Sequence, residues 1–236
     1  MEKDLNILSR YNNEDYLHKN SDWHMADSPW KAQQIDKIIK RNRLNPKTIC
    51  EVGCGAGEIL KQLSFKSKYS EVDFIGYEIS EDAFQLCRMK SSEHLTYIKK
   101  DFLEDDKNYE VILCIDVFEH VENYMGFLKS LRKKGKYKIF HIPLDLSVSS
   151  LIRSRLIDGR NSVGHLHYFT PDTANATLID CGYEIVDIIY TPSFASNSTK
   201  TWKSRIINLL RHSLFKVSPK LLSTFIGGVS LMVLTK

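Results

Sequence analysis

The sequence lacks a long hydrophobic run. No window reaches the roughly 18 uninterrupted apolar residues that a membrane-spanning helix needs. The opening residues, MEKDLNILSRYNNEDYL, also lack the apolar core of a secretory signal peptide. From these two absences we expect a cytoplasmic protein without stable membrane insertion.

Cysteine is scarce, and so is excess charge of either sign. The five cysteines are an odd number and form no Cys-x-x-Cys pair, so we expect reduced core residues and no zinc site. The formal net charge is only +4, and the basic residues are spread along most of the chain. This balance does not favour a nucleic-acid-binding protein, and it suits an anionic small substrate equally well.

What the sequence does contain is an alternation of extended and helical patterns from about residue 30 onward. Short apolar runs such as TICEV and EVILCIDVF alternate with amphipathic stretches such as PWKAQQIDKIIKRNRL. Parallel strands need crossover connections, so this βαβ series predicts an α/β fold, a doubly wound, mostly parallel sheet with helices on both faces. We expect one domain spanning residues 1–236.

Two segments differ from the regular series. Residues 1–45, which include Trp23 and Trp30, are predicted to form a helical lid, with a helix packed on the sheet edge as the alternative. Residues 192–226 are predicted to form a helical insertion before the last strand. Its basic part, 200–222, has three open uses: contact with the acceptor, peripheral contact with a membrane, or contact with a second subunit of a homodimer. A monomer is equally open.

Three glycines stand at alternate positions in EVGCGAGEIL, between an apolar run and a helix-forming run. At Gly53, Gly55 and Gly57 the chain can turn sharply and let a ligand lie against bare backbone at a helix N-terminus. The dinucleotide pattern Gly-x-Gly-x-x-Gly fails, because Glu58 stands where the third glycine is needed. A carboxylate there would repel a pyrophosphate but not a cationic or zwitterionic ligand, and a tight turn without ligand is the alternative.

Acidic residues follow the next two predicted strands. Glu78 lies about twenty residues past the last glycine, where an acid in nucleotide-binding sheets accepts hydrogen bonds from ribose hydroxyls. Asp101, after the third strand, is a candidate for contact with an adenine amino group. A helix cap is the alternative for Glu78, and a surface charge is the alternative for Asp101.

These stretches together resemble the class I S-adenosylmethionine-dependent methyltransferases. EVGCGAGEIL resembles the first motif of that family, GYEIS the second, KKDFLED the third and VILCIDVFEHVEN the fourth, and the resemblance extends from about Trp23 to the C-terminus. It implies seven strands with the last antiparallel, S-adenosyl-L-methionine as cofactor, and the following contacts. The glycine loop of Gly53, Gly55 and Gly57 and the acid Glu51 would approach the methionine end, Glu78 and Ile79 the ribose, Asp101 and Phe102 the adenine, and Asp116 the edge of the methionine pocket.

The acceptor is less well indicated. DVFEHV and GHLHYFTPDTANATLIDCGYEIVD resemble a subgroup near ubiquinone-type O-methyltransferases and those of natural-product and surface-glycan pathways. This implies O-methylation of a small molecule or of a nucleotide- or lipid-linked sugar, including a phosphorylated one. Alternatives are N- or C-methylation of a quinone-like or other metabolite, and a non-catalytic module that only binds the cofactor. RNA methylation is disfavoured, since the fourth strand is followed by DVFE and not by an Asn-Pro-Pro-Tyr type tetrapeptide.

Histidines supply the candidate catalytic groups. Methyl transfer depends mainly on alignment, which can contribute roughly 7–11 kcal/mol, and a base adds to it for a hydroxyl acceptor. We take His141, His165 and His167 as candidate bases, and a structural role for His120 is at least as well supported. Metal binding by the pair His165 and His167 is disfavoured, because no acidic partner is close in sequence.

Overall fold

The computed structural model of the chain describes residues 25–195 and 202–236. Its centre is a seven-stranded sheet with the spatial order β3-β2-β1-β4-β5-β7-β6. The strands are β1 Thr48–Val52, β2 Asp73–Glu78, β3 Leu95–Lys99, β4 Val111–Ile115, β5 Tyr137–Pro143, β6 Ile185–Thr191 and β7 Ser230–Thr235. β7 runs antiparallel to both of its neighbours, whereas β1 to β5 pair in parallel. The predicted fold class is confirmed, including the antiparallel last strand.

Helices cover both faces of the sheet. Their bounds are α1 Ser28–Arg41, α2 Glu58–Ser64, α3 Glu81–Arg88, α4 Tyr124–Arg132, α5 Val148–Ile152, α6 Arg155–Ser162, α7 Pro171–Asp180, α8 Trp202–Val217 and α9 Pro219–Phe225. Along β4, Val111 and Leu113 join one buried cluster, while Ile112 and Cys114 join the other. Because successive side chains of a strand point to opposite faces, these are two core layers on either side of the sheet.

Local sequence explains where the helices begin. α1 has Pro29 in its first turn. The helical spacing of Ile35, Ile38 and Ile39 in the sequence predicts one apolar face, which α1 buries completely. α7 starts at Pro171 after Thr170, whose hydroxyl accepts the backbone N–H of the third helical residue in a capping box. Both helices were predictable from these caps and spacings.

Two local predictions need correction. The sequence predicts a capped helix start at Ser80, which is followed by Glu81 and Asp82. Ser80 does stand at the N-cap of α3, but its side chain makes no capping hydrogen bond, and its backbone N–H donates to the Glu78 carboxylate. The apolar pattern also predicts that LTYIKKDF is the third strand. That strand ends at Lys99, because Asp101 caps a turn of 3-10 helix over Phe102–Glu104 instead of continuing the strand.

The prediction that the cysteines are reduced core residues is confirmed. All five cysteines are free and buried. Within residues 25–195 and 202–236, none of the helices is long and apolar enough to cross a membrane.

The boundaries of the lid and the insertion stay predictions. Trp23, with the rest of residues 1–24, lies outside the described residues. The described part of the predicted lid is α1, which packs on α2 and places the Trp30 ring edge-on to His141, with 6.0 Å between the ring centroids. The predicted insertion contains α8 and α9, which lie between β6 and β7 in sequence.

Candidate active site

A cleft of about 900 Å³ opens where the parallel strands end at their carboxyl edge. This is the edge at which open α/β sheets bind ligands, and the volume is within the usual range for a small-molecule site. Most of the predicted site residues line the cleft, namely Glu51, Gly53, Gly55, Glu78, Ile79, Asp101, Phe102, Asp116, His141 and His165. In the part of the chain that the structure describes, Gly57 and His167 are not among the lining residues.

The glycine loop joins β1 to α2 through left-handed backbone. Gly53 and Gly55 have φ values of +66° and +53° and face the cleft. Gly57 also has a positive φ, +75°, but a Cβ there would lie 2.5 Å from the ring of Tyr97. The third glycine therefore allows close packing of α2 on the sheet, and its contact with a cofactor stays a prediction.

Glu78 connects the end of β2 to the glycine loop. Its Oε2 accepts the N–H of Gly55 at 2.7 Å, and its Oε1 accepts the N–H groups of Ile79 and Ser80, both at 2.8 Å. Burial raises the pKa of this carboxyl, and the three N–H donors oppose that shift. A carboxylate offers about four acceptor positions, so one remains on Oε2 for a ligand hydroxyl.

Glu51, at the end of β1, is 2% exposed. Its Oε2 is buried and accepts no hydrogen bond from the described residues. Burial raises the pKa of Glu51 well above its usual range, although the charge of Lys31 acts in the opposite direction. An ammonium or other cationic group of a ligand would meet here an acceptor that residues 25–195 and 202–236 leave unpaired.

Asp101 and Phe102, which are predicted to contact the adenine, are held by neighbouring residues of the fold. Asp101 caps its turn by accepting the N–H of Leu103 at 2.8 Å. The buried ring of Phe102 packs edge-on to Tyr77, with the rings' centroids 5.1 Å apart, and the Lys134 ammonium lies 5.0 Å from the Phe102 centroid. Asp101 and Phe102 are therefore fixed by neighbours of the fold itself, without a ligand.

Asp116 follows β4 and is the centre of a buried polar network. Its φ of +53° is unusual for a residue with a side chain. Oδ1 lies 2.6 Å from His141 Nδ1, and Oδ2 lies 2.9 Å from Lys31 Nζ, which also pairs with Asp27 at 3.0 Å. Burial alone would raise the pKa of Asp116, but the charges of His141 and Lys31 outweigh it and hold that pKa well below its usual range.

The network also gives each ring nitrogen of His141 a partner. Nδ1 faces Asp116, and Nε2 lies 3.0 Å from Thr191 Oγ1, whose hydroxyl also bonds to the Ser230 carbonyl at 3.1 Å. The fold therefore holds the imidazole from both sides, and either nitrogen would have to leave a partner before it could meet an acceptor hydroxyl. Its role as base stays a prediction that this geometry does not favour.

A second polar cluster joins the segment after β4 to the segment before α7. Glu119, His120 and His165 each place one potential ligand atom within 4.8 Å of the others. Two backbone donors, the N–H groups of Leu166 and His167, hold the two loops together by bonding to the Glu119 carbonyl, at 2.9 Å and 3.1 Å. The segment that carries His165 is therefore docked on the segment that carries Glu119.

The other predicted histidine of that segment is used differently. His167 donates from Nε2 to the carbonyl of Val121 at 3.0 Å, and its ring packs on Tyr124 with a centroid distance of 4.4 Å. These contacts are structural, and the prediction of a catalytic role for His167 stays untested.

Four polar neighbours of the candidate site were missed at the level of sequence: Lys31, Glu119, Thr191 and Asp145, whose Oδ2 lies 2.7 Å from His165 Nδ1. Glu119 had a signal, because it stands directly before His120 in FEHV and could have been considered as the acidic partner of the histidines. No sequence signal indicated Thr191 or Lys31. Thr191 meets His141 only through the packing of β6, and Lys31 meets Asp116 only through the packing of α1.

Comparison with known proteins gives a match to a family model described as "Methyltransferase domain", over residues 24–188. A ubiquinone biosynthesis O-methyltransferase of Rickettsia bellii (strain OSU 85-389) is 32% identical over 108 residues, which are 44% of this chain and 44% of that protein. The match thus spans less than half the length of that curated relative.

Solved structures share the architecture at low identity. Magnesium protoporphyrin IX methyltransferase from Synechocystis PCC 6803, with bound SAH, superposes with a TM-score of 0.62 and 14% identity, covering 97% of this chain and 96% of that one. The cyclopropane synthase MmaA2 from Mycobacterium tuberculosis gives a TM-score of 0.58 and 13% identity, covering 86% and 84% of the two chains. At such identities the likeness is one of fold.

Proposed function

Because the chain belongs to the methyltransferase-domain family, whose members use S-adenosylmethionine, we propose that its cleft binds this cofactor and directs the methyl group to a hydroxyl oxygen of a small-molecule acceptor. The observation that carries the proposal is the pair of buried carboxylates beside the glycine loop. Glu78 is held by three backbone donors, and one oxygen of Glu51 has no hydrogen-bond partner among the described residues. A ligand with a hydroxylated end and a cationic end complements both.

The residues fit the parts of that cofactor. Glu78 accepts a ribose hydroxyl on its remaining site, and Asp101 and Phe102 form the wall for the adenine. Glu51 attracts the ammonium group at the amino acid end, where the glycine loop has no side chain to obstruct it. When bound, the cofactor supplies an already activated sulfonium methyl group.

The protein's contribution to the transfer is alignment more than proton chemistry. The Lys31, Asp116 and His141 network ties α1 to the ends of β4 and β5, so that the edge of the methionine pocket is rigid. Of the predicted bases, His165 combines a place in the cleft with an orienting carboxylate, since its Nδ1 lies 2.7 Å from Asp145 Oδ2. A neutral His165 that donates from Nδ1 keeps the lone pair of Nε2.

For the acceptor we favour an aromatic hydroxyl of a quinone-like precursor over a nucleotide- or lipid-linked sugar. The support is the likeness to a relative named as a ubiquinone biosynthesis O-methyltransferase. N- or C-methylation, and binding of the cofactor without catalysis, are the competing functions. The fold does not separate them, because a cyclopropane synthase shares it.

The experiment is calorimetric titration with S-adenosylmethionine and S-adenosylhomocysteine, with NAD as a control ligand. We expect the sulfur ligands to bind the wild type and Glu78→Ala to weaken binding at least about tenfold, because the variant loses the ribose acceptor and frees three N–H groups. Glu81→Ala is the matched control, since Glu81 lies three residues away and pairs with Lys99 at the surface.

Circular dichroism of each variant separates loss of binding from loss of folding, and Glu78→Gln, which keeps the side chain's shape, is the second variant. Binding of NAD alone, or of no ligand, would overturn the proposal. If the cofactor binds and a panel of phenolic, sugar and amine acceptors shows no mass increase of one methyl group, the non-catalytic alternative is favoured.

A further inference from the structure

Three arginines lie together where α8 approaches the turn between α5 and α6. Arg211 is on α8, and Arg153 and Arg155 stand on either side of Ser154 in that turn, while α9 lies against both α8 and α5. Burial and the charges of Arg155 and Arg153 lower the pKa of Arg211. No ion pair between the described residues involves these three arginines. The fold therefore holds like charges close to one another, which costs free energy unless an anion joins them.

The turn that carries two of these arginines has an unusual backbone. Ser154 has a φ of +54°, in the left-handed region that favours glycine. It is the N-cap of α6 but makes no side-chain capping bond, and Arg155 is the first residue of that helix. The N-terminus of a helix favours negative charge, so a cation at this position is the opposite of what the helix dipole stabilises. Strain and charge together indicate that the turn is shaped for an anion.

Arg211 contributes a donor that the described residues leave unused. Its Nε is buried and has no hydrogen-bond partner among them. Nη1 donates only a long bond, 3.5 Å, to Asn208 Oδ1. The guanidinium lies 5.9 Å from the ring centroid of Phe194, so the ring supports it from one side. A buried donor without an acceptor is costly, and an oxygen atom of a ligand would remove that cost.

The position of Arg211 relates these groups to the cleft. Gly228 lines the cleft, and a Cβ placed on Gly228 would lie 3.6 Å from Arg211 Cζ and 3.8 Å from its Nη1. Val163, which directly follows α6, lines the cleft together with His165 and Ser230. This is the part of the cleft that we propose for the acceptor. An acceptor that places its hydroxyl near His165 can therefore extend an anionic group toward the arginines.

We propose that Arg153, Arg155 and Arg211 bind a phosphate group of the acceptor at the edge of the cleft. The proposal rests on the proposed function and narrows the acceptor to molecules that carry a phosphate as well as the hydroxyl to be methylated. Guanidinium groups match phosphate oxygens with paired N–H donors. A phosphate monoester carries a charge of about −1.5 to −2 at pH 7 and three acceptor oxygens, so it can meet all three arginines. A carboxylate, with one charge and two oxygens, satisfies them less completely.

The test is calorimetric titration of the full chain, without cofactor, with 4-hydroxyphenyl phosphate and glucose 6-phosphate. Each is compared with its phosphate-free form, hydroquinone or glucose. We expect at least one phosphate compound to bind about tenfold more tightly than its phosphate-free form, because only the former meets the arginines. Equal affinities within both pairs would overturn the proposal.

Vesicles of phosphatidylcholine that contain phosphatidic acid present the same phosphate chemistry on a lipid. Because the proposed ligand is a phosphate on the acceptor, the soluble compounds should bind whether or not the vesicles do. Binding to the vesicles alone would overturn the acceptor site and assign the arginines to a membrane surface.

The site variants are Arg153→Gln and Arg155→Gln, at exposed positions, and Arg211→Lys, which keeps the charge but loses the paired donors. Each should weaken binding of the phosphate compound at least about tenfold. Arg160→Gln is the matched control, because Arg160 is an exposed arginine of the same helix, α6, and acts on Tyr168 instead of Arg211. It should bind the phosphate compound as the wild type does.

Folding and cofactor binding are read out separately. Removing one of three repelling charges should leave the melting temperature of Arg153→Gln and Arg155→Gln unchanged or raised, while the rise on adding the phosphate compound is lost. Variants that bind the phosphate compound as tightly as the wild type would overturn the site. Titration of the same samples with S-adenosylmethionine tests the proposed function independently, since none of the three arginines is a proposed cofactor ligand.

Discussion

The two halves of the cleft are built in different ways. In the half that we propose for the cofactor, formed by Glu51, Gly53, Gly55, Glu78 and Asp101, the carboxylates of Glu78 and Asp101 bond to backbone N–H groups nearby. In the half that we propose for the acceptor, Asp116, His141 and His165 bond to side chains brought from distant elements. The first half depends on backbone shape, and the second depends on tertiary packing.

The largest effect that can test this difference is expected in the glycine loop. Gly57→Ala puts a Cβ 2.5 Å from Tyr97 and 2.7 Å from the Cβ of Cys87, at a φ of +75°. Left-handed strain of about 1–2 kcal/mol and overlap of about 1–3 kcal/mol should together lower the free energy of unfolding by roughly 2–5 kcal/mol. Urea denaturation measures the loss.

Gly55→Ala is the matched control for that substitution. Its φ is also positive, but a Cβ there meets no atom within 4 Å, so only the strain remains. We expect a loss of about 1–2 kcal/mol. Equal losses in the two variants would mean that packing beneath the loop is not what requires the third glycine.

The acceptor half is tested by removing the cation that α1 contributes. Lys31→Met leaves Asp27 and Asp116 without their ion pair, although Asp116 keeps His141. Loss of one partner of a fully buried pair costs about 3–5 kcal/mol, and we expect about 1–3 kcal/mol here because His141 remains and Asp116 is partly exposed.

The loss of stability in Lys31→Met should depend on pH in a defined way. Asp116 has a lowered pKa in the folded protein, so its pairing stabilises the fold above the ordinary carboxyl pKa and is lost only as acid protonates it. The difference between Lys31→Met and wild type, measured by urea denaturation, should therefore persist from pH 8 to pH 5. Lys220→Met, which breaks an exposed pair with Asp172, is the control and should leave stability unchanged. A similar lack of effect for Lys31→Met would show that the network does not hold α1.

The same difference explains what sequence reasoning could predict. Sheet order, helix starts and the cofactor wall follow from hydrophobic spacing and from acids at the ends of strands, which are local features. The partners of His141 are 25 and 50 residues away in sequence. Nothing in the spacing indicates that Thr191 would contact one nitrogen of that ring and Asp116 the other, so the sequence could not show that this candidate base already has a partner on each nitrogen.

Glu119 shows the other limit of such reasoning. A carboxylate beside a histidine in FEHV was visible in the sequence, but its burial was not, because a half-polar segment after a strand is usually solvated. Only the docking of residues 165–167 on the Glu119 carbonyl brings the second histidine to it.

The smallest expected effect concerns Asp101, for which the sequence left a surface charge and an adenine contact open. Asp101→Ala removes the cap on Leu103 and should cost about 0.5–1 kcal/mol of stability.

Asp101→Asn can keep that cap through Oδ1, but it presents an amide N–H₂ in place of the second carboxylate oxygen. If that oxygen accepts from the adenine amino group, Asn should weaken cofactor binding about three- to tenfold at nearly unchanged stability. Calorimetry and urea denaturation of the two variants decide whether Asp101 contacts the adenine or only caps the turn. Unchanged affinity in both would leave Asp101 as a turn cap, and the adenine contact would have to come from the wall at Phe102 alone.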